Sequence, residues 1–446
     1  MSSRPIMNRK RVLIITYYWP PSGGSGVQRW VKFAKFLREF GWAPIVYTPE
    51  NHEIPAVDLS LGKELPDDLT VIKKHIFEPY SFYKKFTGQN KDSKIGAAFI
   101  SDQETPKFAE KISRWIRGNL FIPDPRVLWV KPSVRFLSDY LKENPVDAIA
   151  TTGPPHSMHL IGFHLRQKLG IPWLADFRDP WTEIEFYHEF MPSRWADKKH
   201  HRLERTVVKQ ADEVTTIGKS MAESYETMYD RNVHIVTNGY DEEDFDDTLV
   251  KPDDQFTISY IGTMARSQNP LALWKVLSDM VKEKAAFRDA LKIQLIGKTD
   301  LAVIESLKKN NLIPYLEEVG YIPHDQVTKY QRRAQVLLII SKNVSISGYF
   351  LPAKFFEYMA AKRPILCIGP PDGDMGDVIR ECNAGAIADF GDYESTKKIM
   401  TDFYQKYQKG QLNAMSKGIE QYSRKNLTKK IAEIMDLMTA KSPQII

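Results

Sequence analysis

The sequence predicts an α/β protein built from two doubly wound parallel sheets in series. Short, continuously apolar runs alternate with segments of helical periodicity, which is the pattern of repeated βαβ units. The alternation stops in an acidic, apolar-poor stretch at 240–255 and then restarts. Since 446 residues also exceed one ordinary domain, we expect a first domain over 1–240 and a second over 241–420. The remaining residues, 421–446, would form a terminal helix that can cross back to the first domain.

The first domain opens with a βαβ unit. Residues 12–17 predict a buried strand, and the apolar spacing at 27–37 predicts a helix. Gly41 stands where that helix would end, and 45–48 predict the next strand. After an irregular insertion over about 52–130, the alternation resumes. The further predicted helices cover 132–142, 156–169, 196–209 and 220–229, and the strands cover 147–151, 173–176, 213–217 and 234–236.

The second domain repeats this organisation. Its predicted strands cover 256–261, 292–296, 316–319, 336–340, 365–368 and 386–388. Its predicted helices cover 270–283, 301–309, 325–334, the segment around Glu357, and 376–381, with a polar helical region at 394–440. Two such domains joined by a linker are expected to form a cleft. Both sheets would present the carboxyl ends of their strands to it, because ligands bind there in open α/β sheets.

Composition excludes several classes of protein. No apolar run approaches the roughly 18 residues of a membrane-spanning helix, and the short apolar run after the basic N-terminus indicates a strand rather than a signal peptide. A net charge of +6 permits attraction to anionic lipid or nucleotide phosphates but does not indicate nucleic-acid binding. Cys367 and Cys382 lie outside any zinc-type or disulfide pattern, so we expect no metal site and a reducing, cytoplasmic setting.

The most informative stretch is GYFLPAKFFEYMAAKRPILCIG at 348–369. A strand, a loop with glycine and proline, and a helix N-terminus together favour phosphate binding, and a carboxylate in that helix can accept hydrogen bonds from ribose. Lys354 and Glu357 are three residues apart and lie on one helical face. They could form a plain ion pair on a solvated helix, but the surrounding apolar residues favour a role in ligand binding.

Two further turns of the second domain carry candidate phosphate contacts. After the strand in YIGTMARSQNP, Gly262 and Thr263 offer backbone amides and a hydroxyl. Arg266 can supply a planar fork for a diphosphate, although a loop arginine can also simply be solvated. Lys298 in LIGKTD stands in a similar strand and glycine arrangement and is a weaker candidate.

A glycine-rich loop, PPSGGSG, joins the first strand to the first helix. It lacks both the GxGxxG spacing and a Walker lysine, so it indicates neither a dinucleotide nor a P-loop site. Gly23, Gly24, Ser25 and Gly26 could still approach an acceptor or a phosphate closely. The alternative is a tight turn from strand to helix.

Two other loops of the first domain follow predicted strands. GPPHS places His156 at a strand end, where it could contact a ligand; the alternative is an N-cap serine, Ser157, beside a solvated histidine. ADFRDPWT places Arg178 and Asp179 after a buried strand. These two could meet a ligand or could lock two loops by pairing with each other.

The segment 107–121 predicts a basic amphipathic helix with Trp115 on its apolar face. Such a helix is typical of attachment to a membrane surface. A helix packed on the domain is an equal alternative.

Taken together, these motifs resemble the retaining nucleotide-sugar glycosyltransferases of family 4, which have the two-domain GT-B fold. The resemblance spans nearly the whole chain, and ADFRDPW and PAKFFEYMA are similar to a bacterial subgroup tied to surface-polysaccharide synthesis. Besides the first glycine loop it rests on TNGYD (237–241), YIGT (260–263), VGYIP (319–323) and GYFLPAKFFEYMA (348–360).

The resemblance implies a set of donor contacts. Glu357 matches the second of two family glutamates and would bind the donor ribose, whereas Tyr349 stands where the first would be. Thr263 and Asn269 occupy the places of the family's arginine and lysine for the diphosphate. The amides of Gly348, Tyr349, Phe350 and Leu351 would then hold sugar or phosphate, Tyr321 and Ile322 the base, and Arg266, Lys298, Lys342 or Lys354 the diphosphate.

We therefore expect a metal-independent retaining glycosyltransferase that needs no cofactor. It would move a sugar from a nucleotide diphosphate to a glycan or lipid-linked acceptor, in the cytoplasm or at the inner face of the cytoplasmic membrane. His156, Arg178 and Asp179 would act on sugar and phosphate from the first domain. The alternatives are a nucleotide-sugar epimerase of the same fold and a non-catalytic protein that binds sugar nucleotides.

Overall fold

The chain folds into two compact units. A computed structural model describes residues 9–52, 54, 57–77, 108–245, 250–343, 347–349, 351–414 and 416–441. One unit comprises Met1–Thr237 together with Arg424–Ile446, and the other comprises Asn238–Ser423. The last helix of the chain therefore belongs to the first unit, where Leu427, Ile431 and Met435 share a buried cluster with the first helix.

The first unit is built on a seven-stranded, wholly parallel sheet in the order β3-β2-β1-β4-β5-β6-β7. Its strands are β1 (Lys10–Ile15), β2 (Trp42–Pro49), β3 (Thr70–Lys74), β4 (Ala148–Gly153), β5 (Trp173–Phe177), β6 (Glu213–Thr216) and β7 (His234–Ile235). Its helices are α1 (Ser25–Phe36), α2 (Ser60–Lys63), α3 (Phe108–Asn119), α4 (Val127–Glu143), α5 (Ser157–Leu169), α6 (Arg194–Gln210), α7 (Lys219–Tyr229) and α15 (Arg424–Lys441).

The insertion predicted as irregular is partly regular. β3 adds to the edge of the sheet beside β2, and its mixed exposure hides it from a search for buried apolar runs. The helix expected at 132–142 begins already at Val127, with Pro132 inside it. Its first turn is held by Trp129 and Val130, which are buried in the core of this unit.

The second unit carries a six-stranded, wholly parallel sheet in the order β10-β9-β8-β11-β12-β13. Its strands are β8 (Phe256–Ile261), β9 (Leu291–Ile296), β10 (Leu316–Gly320), β11 (Val336–Ile340), β12 (Ile365–Ile368) and β13 (Gly385–Ala388). Its helices are α8 (Leu271–Glu283), α9 (Ala285–Ala290), α10 (Leu301–Lys309), α11 (His324–Arg333), α12 (Ala353–Ala360), α13 (Asp374–Cys382) and α14 (Tyr393–Gln408).

Both sheets therefore begin with the same doubly wound strand order, and the predicted fold class is confirmed. Their strand order reverses between β1 and β4 in the first unit and between β8 and β11 in the second. Ligands of open α/β sheets bind outside the carboxyl ends of the strands at such a reversal. This positions the loops after β1, β4, β8 and β11 as the candidate binding loops.

Candidate functional site

The loops after β8 and β9 turn on two glycines in positive-φ conformations. Gly262 has φ 120° and Gly297 has φ 113°, values that side chains rarely adopt. The Gly262 amide donates to the Ile296 carbonyl at 2.7 Å. A Cβ at Gly297 would lie 2.5 Å from the Gly262 oxygen, so the two turns lie in direct contact and a side chain at Gly297 would clash. At Gly262 it is the backbone conformation that disfavours a side chain.

Lys354 brings its amine to this turn. Its Nζ donates to the Ile261 carbonyl at 3.1 Å and lies 3.8 Å from the centroid of the Tyr260 ring. It is also 3.4 Å from the point where a Cβ at Gly262 would be. Burial lowers the pKa of Lys354 to about 7, and the Glu357 charge acts in the opposite direction. Near neutral pH this amine is therefore poised between its charged and neutral forms.

Glu357 is oriented by a residue that the sequence did not single out. Gln331 of α11 is fully buried, and its Nε2 donates to Glu357 Oε2 at 3.0 Å. Lys354 bonds to the Ile261 carbonyl instead of pairing with Glu357, so these two described residues do not form the simple ion pair considered above. The signal for Gln331, a polar residue on the inner face of an amphipathic helix, was present in HDQVTKYQRR.

The loop before α12 packs its backbone against a neighbouring helix. A Cβ at Gly373 would lie 3.0 Å from the Cα of Gly348, so the turn Ser347–Tyr349 rests against the start of α13. Leu351 is buried, and its carbonyl accepts from Asn238 Nδ2 at 3.4 Å. Phe350 lies outside the described residues.

The other donor-site candidates are more exposed to solvent than Leu351. Thr263, Arg266 and Lys298 are exposed, Tyr321 is 87% exposed, and Ile322, Lys342, Gly348 and Tyr349 are half-buried. Both ends of the Asn269 amide bond to neighbouring side chains. Its Nδ2 donates to Ser306 Oγ at 2.8 Å, and its Oδ1 accepts from Trp274 Nε1 at 2.8 Å. Lys354, the remaining basic candidate, brings its amine to the end of β8.

In the first unit, the structure brings together the glycine loop and Arg178. A Cβ at Gly26 would lie 1.4 Å from Arg178 Nη1, so the guanidinium rests on the first turn of α1 and would have to move if a side chain stood there. Arg178 Nε donates to Thr152 Oγ1 at 3.1 Å, and its Nη2 donates to the Pro154 carbonyl. Burial lowers the pKa of Arg178, and the neighbouring carboxylates oppose that shift. Asp179, its predicted companion, is exposed.

The carboxylate that organises this region is Asp176, which the sequence search passed over. It is fully buried and accepts hydrogen bonds from Arg29 at 3.2 and 2.8 Å and from Trp30 at 2.7 Å. The hydroxyls of Thr152 and Thr215 donate to it at 3.0 and 2.8 Å. Burial opposes ionisation, yet the charge of Arg29 and these donors leave the pKa of Asp176 below its ordinary value. Asp176 thus ties α1 to β4, β5 and β6 beneath Arg178.

His156 is buried rather than solvated. It is 8% exposed and stacks on Trp181, with ring centroids 4.8 Å apart. Burial lowers the pKa of His156 well below its ordinary value and lowers that of His159 to about 3, so both rings are neutral. The N-cap role considered for Ser157 is taken by Asp124, which accepts from its amide at 2.8 Å and its hydroxyl at 2.9 Å.

α3 packs on the first unit and also exposes an apolar side chain. Gly118 packs against Phe190, where a Cβ would lie 2.5 Å from the carbonyl oxygen, and Arg114 pairs with Glu189 at 2.9 Å. Yet Trp115 is 45% exposed. Residue 107 lies outside the described residues. Across the described helices, none has the length and hydropathy to cross a bilayer.

The Gly26 contact gives a testable prediction. Gly26→Ala would drive its methyl group into the Arg178 guanidinium, and we expect this displacement to lower kcat/KM for the acceptor of the transferase predicted from the sequence at least about tenfold. The measurement is steady-state kinetics with acceptor varied at saturating donor. Gly391→Ala is the matched control, because a Cβ there meets nothing within 4 Å. Equal kinetics for the two variants would exclude a role for the Arg178 position in the reaction.

Comparison with known proteins agrees with this architecture. Residues 113–240 match the model of a glycosyl transferase 4-like domain. Sucrose-phosphate synthase from Thermosynechococcus elongatus superimposes with a TM-score of 0.60 at 13% identity, covering 97% of this chain and 100% of that one. WaaG, a glycosyltransferase involved in lipopolysaccharide biosynthesis, gives 0.53 at 12% identity, covering 95% and 99%.

A third solved structure belongs to another class of enzyme. A putative UDP-N-acetylglucosamine 2-epimerase from Listeria monocytogenes gives a TM-score of 0.56 at 8% identity, covering 98% of each chain. No curated protein sequence matches this chain. At these identities the likeness concerns the fold. The chain has the GT-B fold seen in nucleotide-sugar enzymes, and its residues 113–240 are similar to a glycosyl transferase 4-like domain.

Proposed function

We propose that this protein is a retaining glycosyltransferase that uses a nucleotide-diphosphate sugar. The observation that carries the proposal is the amine of Lys354, which lies beside the Gly262 turn at the strand-order reversal of the second unit, with Glu357 three residues further along the same helix. A lysine amine and backbone amides suit a diphosphate, and a carboxylate suits ribose hydroxyls. The matched domain over 113–240 and the GT-B neighbours support the same class of activity.

The donor would bind the second unit with its diphosphate between the Gly262 turn and the loop at Gly348. Lys354 would neutralise charge on the departing diphosphate, and fixed amides would add to this without a metal or cofactor. In the retaining reaction the acceptor hydroxyl attacks from the face of the leaving group. The leaving phosphate takes the acceptor proton, so the protein need not supply a nucleophile.

The acceptor would bind the first unit. Arg178, which rests on the first turn of α1, would hold a phosphate or sugar oxygen of a glycan or lipid-linked acceptor. His156 would shape that site as a neutral ring. The exposed Trp115 of α3 supports attachment to the inner face of the cytoplasmic membrane, where a lipid-linked acceptor of surface-polysaccharide synthesis would be found.

The proposed donor site predicts a pH dependence. Without ligand Lys354 has a pKa of about 7, and a bound diphosphate raises it because the anion favours the ammonium form. Between these two pKa values binding takes up a proton, so affinity falls as pH rises, by up to about tenfold per unit above pH 7. Calorimetric titration of a nucleotide sugar, whose diphosphate does not itself titrate there, measures this slope. Lys354→Arg stays charged and should give a flat profile. A flat profile for the unaltered protein would contradict the view that binding protonates Lys354.

The activity itself is tested by incubating the protein with a panel of nucleotide sugars, with and without membrane extract as acceptor source. A glycosyltransferase releases nucleoside diphosphate and labels an acceptor with retained anomeric configuration. Conversion of the donor to another nucleotide sugar without any acceptor would instead identify an epimerase. Donor binding without either product would identify a non-catalytic sugar-nucleotide binder.

A further inference from the structure

Gln331 of α11 has a buried side-chain amide in which only the nitrogen has a hydrogen-bond partner among the described residues. Its Nε2 donates to Glu357 Oε2 at 3.0 Å, whereas its Oε1 is buried and has no hydrogen-bond partner among the described residues. We propose that Gln331 is a positioning residue that aims the Glu357 carboxylate at the ribose of the donor nucleotide. This inference rests on the proposed function, because it assigns the ribose as the ligand of that carboxylate.

The contact fixes one oxygen of Glu357 and leaves the other for a ligand. Glu357 is half-buried at the second turn of α12, so its carboxylate remains within reach of solvent. Lys354, on the same face of the helix, bonds elsewhere and does not hold it. Gln331 lies on α11, 26 residues before Glu357 of α12. The Glu357 carboxylate is therefore held by a side chain from a second, rigid helix.

A neutral donor suits this task better than a cation. An arginine or lysine at this place would satisfy the carboxylate and compete with sugar hydroxyls for its charge. The amide contributes one hydrogen bond and leaves the negative charge of Glu357 intact. The opposite amide orientation would set two acceptor oxygens against each other, so the contact also fixes the direction of Gln331.

Gln331 is costly to the fold. A buried acceptor without a partner destabilises the fold, and an apolar side chain at the same place would avoid that cost. Packing alone therefore gives no reason for glutamine here. The hydrogen bond to Glu357 gives a reason, because holding that carboxylate in one direction is useful only if a ligand meets it from that direction.

The test compares ribonucleoside diphosphates with their 2′,3′-dideoxy counterparts. The affinity ratio of the two, measured by calorimetry for the best-binding base among uracil, guanine, adenine, cytosine and thymine, reports recognition of the sugar hydroxyls. We expect Gln331→Met, close to glutamine in size, to lower this ratio at least about fivefold while the denaturation midpoint stays the same or rises. Glu357→Gln should lower the ratio as well, and the double variant should add little to it.

Three other results would each overturn the inference. A Gln331→Met protein with an unchanged ratio would show that Glu357 needs no orienting partner, and the proposed function would still stand. An unaltered protein that binds diphosphates without preferring the ribo form would remove Glu357 from the ribose. An unaltered protein that binds none of the diphosphates would reject the proposed function and this inference together. If the Met variant is unstable, Gln331→Leu carries the same measurement.

Discussion

Lys354→Met should lower kcat/KM for the donor by about 100-fold to 1000-fold, the loss measured when one preorganised donor to a developing oxyanion is removed. The amine of Lys354 lies beside the Gly262 turn, where the leaving diphosphate would sit, and methionine keeps most of the length of the side chain without its charge. Initial-rate assays with varied nucleotide sugar give the effect. Binding of the same nucleotide should weaken as well, because the diphosphate is already charged in the ground state.

The lower activity of Lys354→Met should not result from a less stable fold. The lowered pKa of Lys354 means that burial disfavours its charge, so an apolar side chain relieves a cost when the protein is free of ligand. We expect the urea midpoint of Lys354→Met to equal or exceed that of the unaltered protein. Lys298→Met is the control: this exposed lysine belongs to the same predicted set, and its removal should leave the rate nearly unchanged. If Lys298→Met loses the activity and Lys354→Met keeps it, the diphosphate site has been assigned to the wrong lysine.

Asp176→Asn should lower the free energy of unfolding by about 3–5 kcal/mol, because it leaves the Arg29 guanidinium buried without its counter-charge. The carboxylate also accepts from Trp30, Thr152 and Thr215, and an amide cannot accept from all of these donors. Urea unfolding followed by circular dichroism measures the change. Because Thr152 also accepts from Arg178, acceptor kinetics of the surviving folded protein should deteriorate too.

The matched comparison uses the charge of Arg29. Asp176→Asn combined with Arg29→Met removes both charges, so the double variant should recover part of the stability lost in the single variant. A pair with an exposed carboxylate behaves differently, and Asp68→Asn, which removes an exposed carboxylate from half-buried Arg38, should leave the midpoint nearly unchanged. Equal, small effects from Asp176→Asn and Asp68→Asn would contradict the view that Asp176 organises this region.

The fold class was predictable because each strand carries its own local signal. Central strands of a parallel sheet are buried on both faces, so runs such as VLLII at β11 are apolar throughout. Helices between them show one apolar face. The first of them continues into a 3-10 turn, Leu37–Phe40, which ends at Gly41 with φ 82°. The edge strand β3 lacks that signal, because its exposed positions are polar, and the sequence prediction passed over it.

The site was predictable only in part. The strand order determines where its loops lie, but it does not determine which side chains form hydrogen bonds with each other. The strand order places Gly262, Lys354 and Gly26 at sheet ends, and the sequence already marked those residues as candidates. Their roles in binding stay predictions.

Only the tertiary structure decided which carboxylate is buried and which polar side chains form hydrogen bonds with each other. Asp176 and Asp179 are near neighbours in the sequence, yet one is fully buried and the other exposed, since Arg29 reaches Asp176 from 147 residues away. Gln331 meets Glu357 across two helices. A local pattern records which face of an element is buried, but a hydrogen bond between distant elements depends on how they pack, and that information appears only once the chain has folded.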